Sequence, residues 1–188
     1  MKQIEIKESI EKLIDTFLYA GKVSIELREK GLIKEIKEDN TPVSNGDLEV
    51  NRILTEKINN LTPQIPIVSE ETSHNKSKKD LKDFWLIDPI DGTYDYINDL
   101  EEFTLNAGLI INNRAVAGII FAPAKDRLFY SYEKGCSFEI INNKHVKLDC
   151  SKTSNNKLKF VSYSNKLKPE INKIYQSMNV SEFKRMKS

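Results

Sequence analysis

From Ile10 through Leu13, Ile14, Phe17, Gly21 and Ile25, small or apolar residues recur at spacings of three and four, with Glu, Lys and Asp between them. That period predicts an amphipathic helix lying on a larger body. After a polar stretch from Lys34 to Pro42, Val50, Ile53, Leu54, Ile58 and Leu61 repeat the spacing and predict a second helix. Ser44 suits its N-cap, and Asp47 falls in its first turn, where the helix dipole favours a carboxylate. The period then changes. Ile65 to Val68 reads as a short strand running into Glu70-Glu71, Thr72 to Lys82 as a Lys-rich surface loop, and Phe84 to Ile87 as a second short strand stopping at Asp88-Pro89.

The middle of the chain is strand-rich. Phe103 to Ile111 and Ala115 to Ala122 are β-type runs joined by Asn112-Asn113, a pair that tolerates positive φ and favours a hairpin. Leu128 to Tyr132, Ser137 to Ile141 and His145 to Leu148 continue the series, with Asn142-Asn143 as another tight turn. Sequential strands with short turns predict an antiparallel sheet, and helices first with strands afterwards predict an α+β fold in which helices flank that sheet. Ser151 to Asn156 reads as a linker. Beyond it, Lys159 to Ser162 is a strand, Pro169 to Met178 a helix and Ser181 to Lys187 an extended piece, the opening of a β-α-β unit left unfinished. The expected division is 1–152 and 153–188.

At 188 residues the chain can bury a sizeable core. Its 29 basic side chains are nearly cancelled by 28 acidic ones, which removes the simplest electrostatic argument for a nucleic-acid polymer or a polybasic membrane-surface protein and leaves only a local basic patch open. Met1 to Ile10 carries Lys2, Glu5, Lys7 and Glu8 and lacks the apolar core of a signal peptide. No apolar run approaches the ~20 residues that span a bilayer. The expected location is the cytoplasm, where Cys136 and Cys150 read as free thiols.

Glu70-Glu71 and Asp88-Pro89-Ile90-Asp91-Gly92-Thr93 carry the chemistry. Carboxylates at the ends of two neighbouring strands converge at one sheet edge and repel each other unless cations lie between them. Mg²⁺ prefers such carboxylate and carbonyl oxygens. Pro89 fixes φ and biases Asp88 towards an extended backbone. The carbonyl of Ile90, between the two aspartates, can serve as a neutral oxygen ligand. Gly92 permits close approach of the backbone to an anion, and Thr93 with Tyr94 to Asn98 can open a short helix whose amides face a phosphate. Such a site supports metal-assisted phosphate ester hydrolysis. Asp-Pro and Asp-Gly are also common turn dipeptides, and a lone Glu-Glu pair is ordinarily solvated surface. The whole six-residue run after an apolar strand is the more specific signal.

Trp85-Leu86-Ile87-Asp88-Pro89-Ile90-Asp91-Gly92-Thr93 resembles the signature of the inositol monophosphatase superfamily of Mg²⁺-dependent, lithium-sensitive phosphatases, and Val68-Ser69-Glu70-Glu71 resembles its upstream acidic motif. The resemblance implies a layered α/β sandwich of the inositol-phosphatase and sugar-phosphatase type. It also implies that Glu70, Asp88, the Ile90 carbonyl and Asp91 hold metal. Glu70 would help hold the attacking water, Asp88 would bridge two ions, and Thr93 with Asp47 of Pro42-Val43-Ser44-Asn45-Gly46-Asp47 would polarise that water. Glu70, Ile90, Asp91, Gly92 and Thr93 would face the substrate, with the backbone at Gly92 and Thr93 on the scissile phosphate.

Leu61-Thr62-Pro63, Glu102-Phe103-Thr104-Leu105-Asn106 and Ala122-Pro123 are similar to the bacterial 3'(2'),5'-bisphosphate nucleotidases. That implies hydrolysis of the 3'-phosphate of adenosine 3',5'-bisphosphate, a small phosphorylated substrate of sulfur metabolism. Tyr94-Asp95-Tyr96 stands where those enzymes have Lys-Glu-Phe, so a phenol replaces a cation. The alternatives are an inositol monophosphatase-type enzyme and an inactive, truncated chain that only binds metal or nucleotide. The last is motivated by the family's final Asp ligand, for which no Asp follows Asp149. On this reading 1–152 is a metal-binding domain and 153–188 the first portion of an incomplete second one. A homodimer is left open. Trp85, Phe103 and Thr104 are expected to be structural, His74 and His145 to have surface or packing roles, and Lys76, Lys78, Lys79 and Lys82 to form a solvated face.

Overall fold

A computed structural model describes residues 3–37, 41–72, 81–149, 151, 158–164, 166–178 and 180–186. The chain divides into two compact units, 1–148 and 149–188. In the first, helix α1 (Gln3–Lys30) buries Ile6, Ile10, Leu13, Phe17 and Ala20, one stripe at the predicted period. Gly21 continues that stripe where α1 meets the sheet. A Cβ there would lie 2.6 Å from Cδ1 of Phe121 and 3.0 Å from Cγ of Pro123, so only glycine allows the approach.

The polar stretch after α1 contains a short antiparallel pair, β1 (Lys34–Ile36) and β2 (Pro42–Ser44), with Lys34 opposite Ser44. Its pairing is made by the backbone, and every residue of β1 is exposed, so no apolar alternation announces it. Helix α2 (Asn45–Leu61) follows with Ser44 as N-cap. The cap is a reciprocal box in which the Ser44 side chain serves the helix and the Asp47 carboxylate accepts from the Ser44 backbone.

The sheet has seven strands in sequence order: β3 (Ile67–Ser69), β4 (Phe84–Asp91), β5 (Thr104–Ile111), β6 (Arg114–Ala122), β7 (Arg127–Glu133), β8 (Cys136–Ile141) and β9 (Lys144–Lys147). Helices α1 and α2 line one face, where Trp85, Ile87, Leu105 and Leu109 join Phe17, Leu54 and Ile58 in the core. Asn112-Asn113 and Asn142-Asn143 turn the predicted hairpins with positive φ at all four residues.

Two expectations need correction. The sheet is mixed rather than antiparallel, because β3 and β4 pair in parallel, with Val68 opposite Leu86, while the later pairs are antiparallel. A long connection separates these two strands, which permits a parallel return that a tight turn forbids. Nor does β4 stop at Ile87. It pairs Asp88 with Asn106, shifts register, and pairs Asp91 with Thr104, so β4 carries one residue more than β5 over that step. The bulge accommodates Pro89, which cannot donate to the ladder, and bends the strand end.

In the second unit, β10 (Leu158–Ser162), α4 (Pro169–Ser177) and β11 (Val180–Arg185) form a β-α-β unit whose strands pair in parallel. The sequence left that unit open; the structure closes it around an aromatic cluster. Tyr175 of α4 stands 5.3 Å from Phe160 and 5.9 Å from Phe183, ring centre to ring centre. The linker residues 152–156 lie outside the described residues. No described helix is long and apolar enough to cross a membrane.

Candidate metal centre

The parallel pairing of β3 and β4 sends both strands out at the same edge, and that places the two acidic motifs together. At the end of β3, the Ser69 hydroxyl donates to Asn51 Oδ1 of α2 at 2.6 Å, and the Glu70 amide donates to the Ile87 carbonyl at 3.0 Å. Glu70 is therefore tied to β4 one residue before Asp88. Glu71 turns inward, with its side chain 5% exposed against 42% for Glu70.

Asp88 stands at the β4 bulge, and its Oδ1 is buried with no hydrogen-bond partner. Burial first, and then the charges of Glu70 and Asp91, push its carboxyl up to about 7. Burial and Glu70 also raise Asp91, against a Gly92 hydrogen bond that favours its charged form. Glu71 is raised by burial in spite of its lysine partner.

The side chain of Ile90 is an anchor in the core, 1% exposed, and its carbonyl accepts from the Thr93 hydroxyl. Gly92 takes φ 90°, the left-handed region, at the N-cap of helix α3 (Thr93–Ile97). The Thr93 hydroxyl lies 3.0 Å from the Ile90 carbonyl and 3.2 Å from Asp47 Oδ1, so one proton faces two acceptors. Asp47 is buried and accepts from the Ser44 amide at 2.8 Å and the Ser44 hydroxyl at 2.6 Å. Burial raises its carboxyl, and these hydrogen bonds oppose the shift.

Lys37 is the residue that the sequence did not disclose. Its ammonium lies 2.8 Å from Glu71 Oε1 and 3.4 Å from Glu70 Oε1, where it neutralises part of the acidic edge. Among the described residues, no three His, Cys, Asp or Glu side chains stand at metal-ligating spacing. The donor set nonetheless fits a hard divalent cation. It is all oxygen, the charge of Glu70 adds to burial in raising both Asp88 and Asp91, and the unpartnered Oδ1 of Asp88 is a buried acceptor still lacking a positive partner.

Other expected residues fall as follows. Trp85 is core, 1% exposed, with its indole N–H donating to Thr62 Oγ1 at 3.0 Å. Phe103 is buried and Thr104 pairs with Asp91. His145 Nδ1 shares a 2.6 Å hydrogen bond with the Tyr130 hydroxyl, a packing role. Cys136 is a free thiol. Lys82 and Tyr94 are exposed. His74, Lys76, Lys78, Lys79 and Cys150 lie outside the described residues.

Fold and site together define a layered α+β protein with an all-oxygen acidic centre at the ends of a parallel strand pair. The chain belongs to the inositol monophosphatase family, whose model matches residues 6–186. It is 38% identical over 122 residues to a 3'(2'),5'-bisphosphate nucleotidase CysQ of Aggregatibacter actinomycetemcomitans, a match covering 64% of this chain and 45% of that protein. The chain thus spans about half the length of the curated relatives that it matches. A crystal structure of CysQ from Bacteroides thetaiotaomicron, 21% identical, superposes with a TM-score of 0.69, covering 96% of this chain and 73% of that one. An IMPase/NADP phosphatase complexed with Mg²⁺ and phosphate, 14% identical, gives 0.72 over 95% of this chain and 67% of that one.

Proposed function

We propose that this chain carries the metal-binding centre of a Mg²⁺-dependent phosphomonoesterase that removes the 3'-phosphate of adenosine 3',5'-bisphosphate. The observation that carries this reading is the unpartnered, buried Oδ1 of Asp88 amid Glu70 and Asp91, beside the Thr93–Asp47 pair. The nucleotidase names of the similar proteins support the choice of substrate. In the proposed centre, Glu70, Asp88, Asp91 and the Ile90 carbonyl hold Mg²⁺. Once bound, the ion would acidify a water and offset charge on the phosphoryl group.

The chain's own groups direct the proton. With the Ile90 carbonyl engaged, the Thr93 hydroxyl keeps Asp47 as its acceptor and turns a lone pair towards the attacking water. Water adds to phosphorus and its proton passes through Thr93 to Asp47, while the ester P–O bond breaks and the leaving 3'-oxygen takes a proton from solvent water. A carboxyl raised by burial is suited to receive it. Glu70, more exposed than Asp88 and Asp91, helps hold the water. The backbone at Gly92 and Thr93 faces the phosphate, and the products are inorganic phosphate and adenosine 5'-monophosphate.

The test is phosphate release from adenosine 3',5'-bisphosphate and from inositol 1-phosphate, with Mg²⁺, with and without Li⁺, on the wild-type chain and on Asp88→Asn. Release from the nucleotide, abolished by Asp88→Asn, is expected. Release from the inositol ester alone would move the reading to an inositol monophosphatase. A folded wild-type chain inactive on both, or activity that survives Asp88→Asn, would sink it.

A further inference from the structure

Helix α3 carries Thr93 at its start and Tyr96 one turn later, and both meet the first turn of α2. Tyr96 is fully buried, and its hydroxyl donates to the Ser24 carbonyl of α1 at 2.7 Å. Burial, and then the charge of Asp47, push the phenol above its ordinary value, so the hydroxyl keeps its proton. Its ring lies 4.9 Å from that of Phe103, and the Arg28 guanidinium stands over both rings at 5.9 and 5.3 Å. Arg28 Nη1 also donates to the Leu100 carbonyl at 2.9 Å, and Nε lies 3.2 Å from the Asp99 carboxylate. The segment after Thr93 is thus held to α1 through Tyr96 and again through Leu100.

Gly46 is where α2 meets this anchored ring. A Cβ on Gly46 would lie 2.7 Å from Cε1 and 2.8 Å from Cζ of Tyr96, and would also run into the hydroxyl. Its φ is not in the left-handed region, so space rather than backbone conformation demands glycine there. The next residue is Asp47, which accepts from Thr93. We infer that Gly46 and Tyr96 are positioning residues: ring against glycine sets how closely α2 approaches α3, and so sets the Asp47–Thr93 separation.

The chemical importance of that separation rests on the phosphatase reading; the contact itself does not. Misplacing such a pair by ~1 Å can cost about a hundredfold in rate. Three variants test the inference: Gly46→Ala, Tyr96→Phe and the double substitution. The readouts are kcat and KM for phosphate release, together with amide hydrogen exchange. For Gly46→Ala, kcat should fall at least about tenfold and by a larger factor than KM rises, because Glu70, Asp88 and Asp91 are not on α2. Exchange should quicken at Ser44 to Asp47 and Gly92 to Ile97 while the seven-stranded sheet stays protected. Tyr96→Phe removes the atom nearest to the added Cβ, so the double variant should recover part of the lost kcat.

Wild-type kcat and exchange in Gly46→Ala would overturn the inference. So would faster exchange spread over the whole unit with kcat falling only as the folded fraction falls. A wild-type chain that releases no phosphate defeats the phosphatase reading, and the exchange pattern still decides whether Gly46 and Tyr96 hold the two helices in place.

Discussion

Lys37 and Glu71 stand 2.8 Å apart, although 34 residues separate them along the chain, and the same ammonium reaches Glu70 at 3.4 Å. The pair is asymmetric. Burial alone would lower the lysine, but Glu71 and Glu70 outweigh it and hold Lys37 above its ordinary value. Glu71 is raised all the same, because burial and its acidic neighbours outweigh one lysine. Lys37 partly fills the place of a cation at an edge that carries too much negative charge.

Lys37→Met should therefore destabilise the metal-free chain. The side chains are 22% and 5% exposed, so the loss is set at about 2 kcal/mol, below the ~3–5 of a fully buried broken pair. That corresponds to roughly 4–8 °C in Tm. Melts in EDTA and in Mg²⁺ check it: the deficit should shrink when Mg²⁺ is present. A higher metal-free Tm would mean that Lys37 costs more in lost hydration than it returns.

The acidic edge also fixes the direction of a pH effect. Asp88 rises from an ordinary value of 3.8 to about 7, and Asp47, Glu71 and Asp91 are raised as well, each first by burial. A carboxyl raised on folding keeps its proton in the folded chain where the unfolded chain has lost it. Stability is then greatest below the unfolded value and is lost as pH climbs towards the folded one. The metal-free Tm should fall between pH 5 and pH 7.5, and saturating Mg²⁺, which on the proposed reading binds the ionised form, should flatten or reverse the slope. A metal-free Tm that climbs over this interval would contradict the account.

Trp85 is the sole tryptophan, so its fluorescence reports the core directly. Thr62→Val removes the acceptor of its buried indole N–H and should cost about 1–3 kcal/mol. Urea unfolding followed at the tryptophan emission should show a lower midpoint and an unchanged slope.

Ser44→Ala removes the hydroxyl that accepts from the Gly46 amide and donates to Asp47. The expected loss is about 1 kcal/mol, that of a helix cap, measured by urea unfolding of the full chain. An equal loss in an Asp47→Ala background would show that the cap does not act through the reciprocal box.

Much of the first unit was legible because local rules agree with the fold. The stripe from Ile10 to Phe17, the Ser44 cap and the Asn-Asn turns each express a preference that needs no distant partner. The bulge at Pro89 was not legible. A proline read locally ends a strand, and only the facing strand, with Thr104 opposite Asp91, shows that pairing resumes.

Within the site, residue types pointed to Glu70-Glu71, Asp88 and Asp91, since carboxylates after apolar strands are costly without a cation, while the choice of Glu70 and the role of Thr93 came from the family resemblance. The tertiary structure decided which of them meet. Parallel pairing of β3 with β4 brings Glu70 beside Asp88, and the seating of Gly46 on Tyr96 brings Asp47 to Thr93. Lys37 enters only there, because a lone lysine in a polar stretch has no periodicity to mark it, and it is half-buried beside its acidic partners. Periodic burial is written along the chain; the meeting of charges distant in sequence is set by strand pairing and helix packing, which close those distances in space.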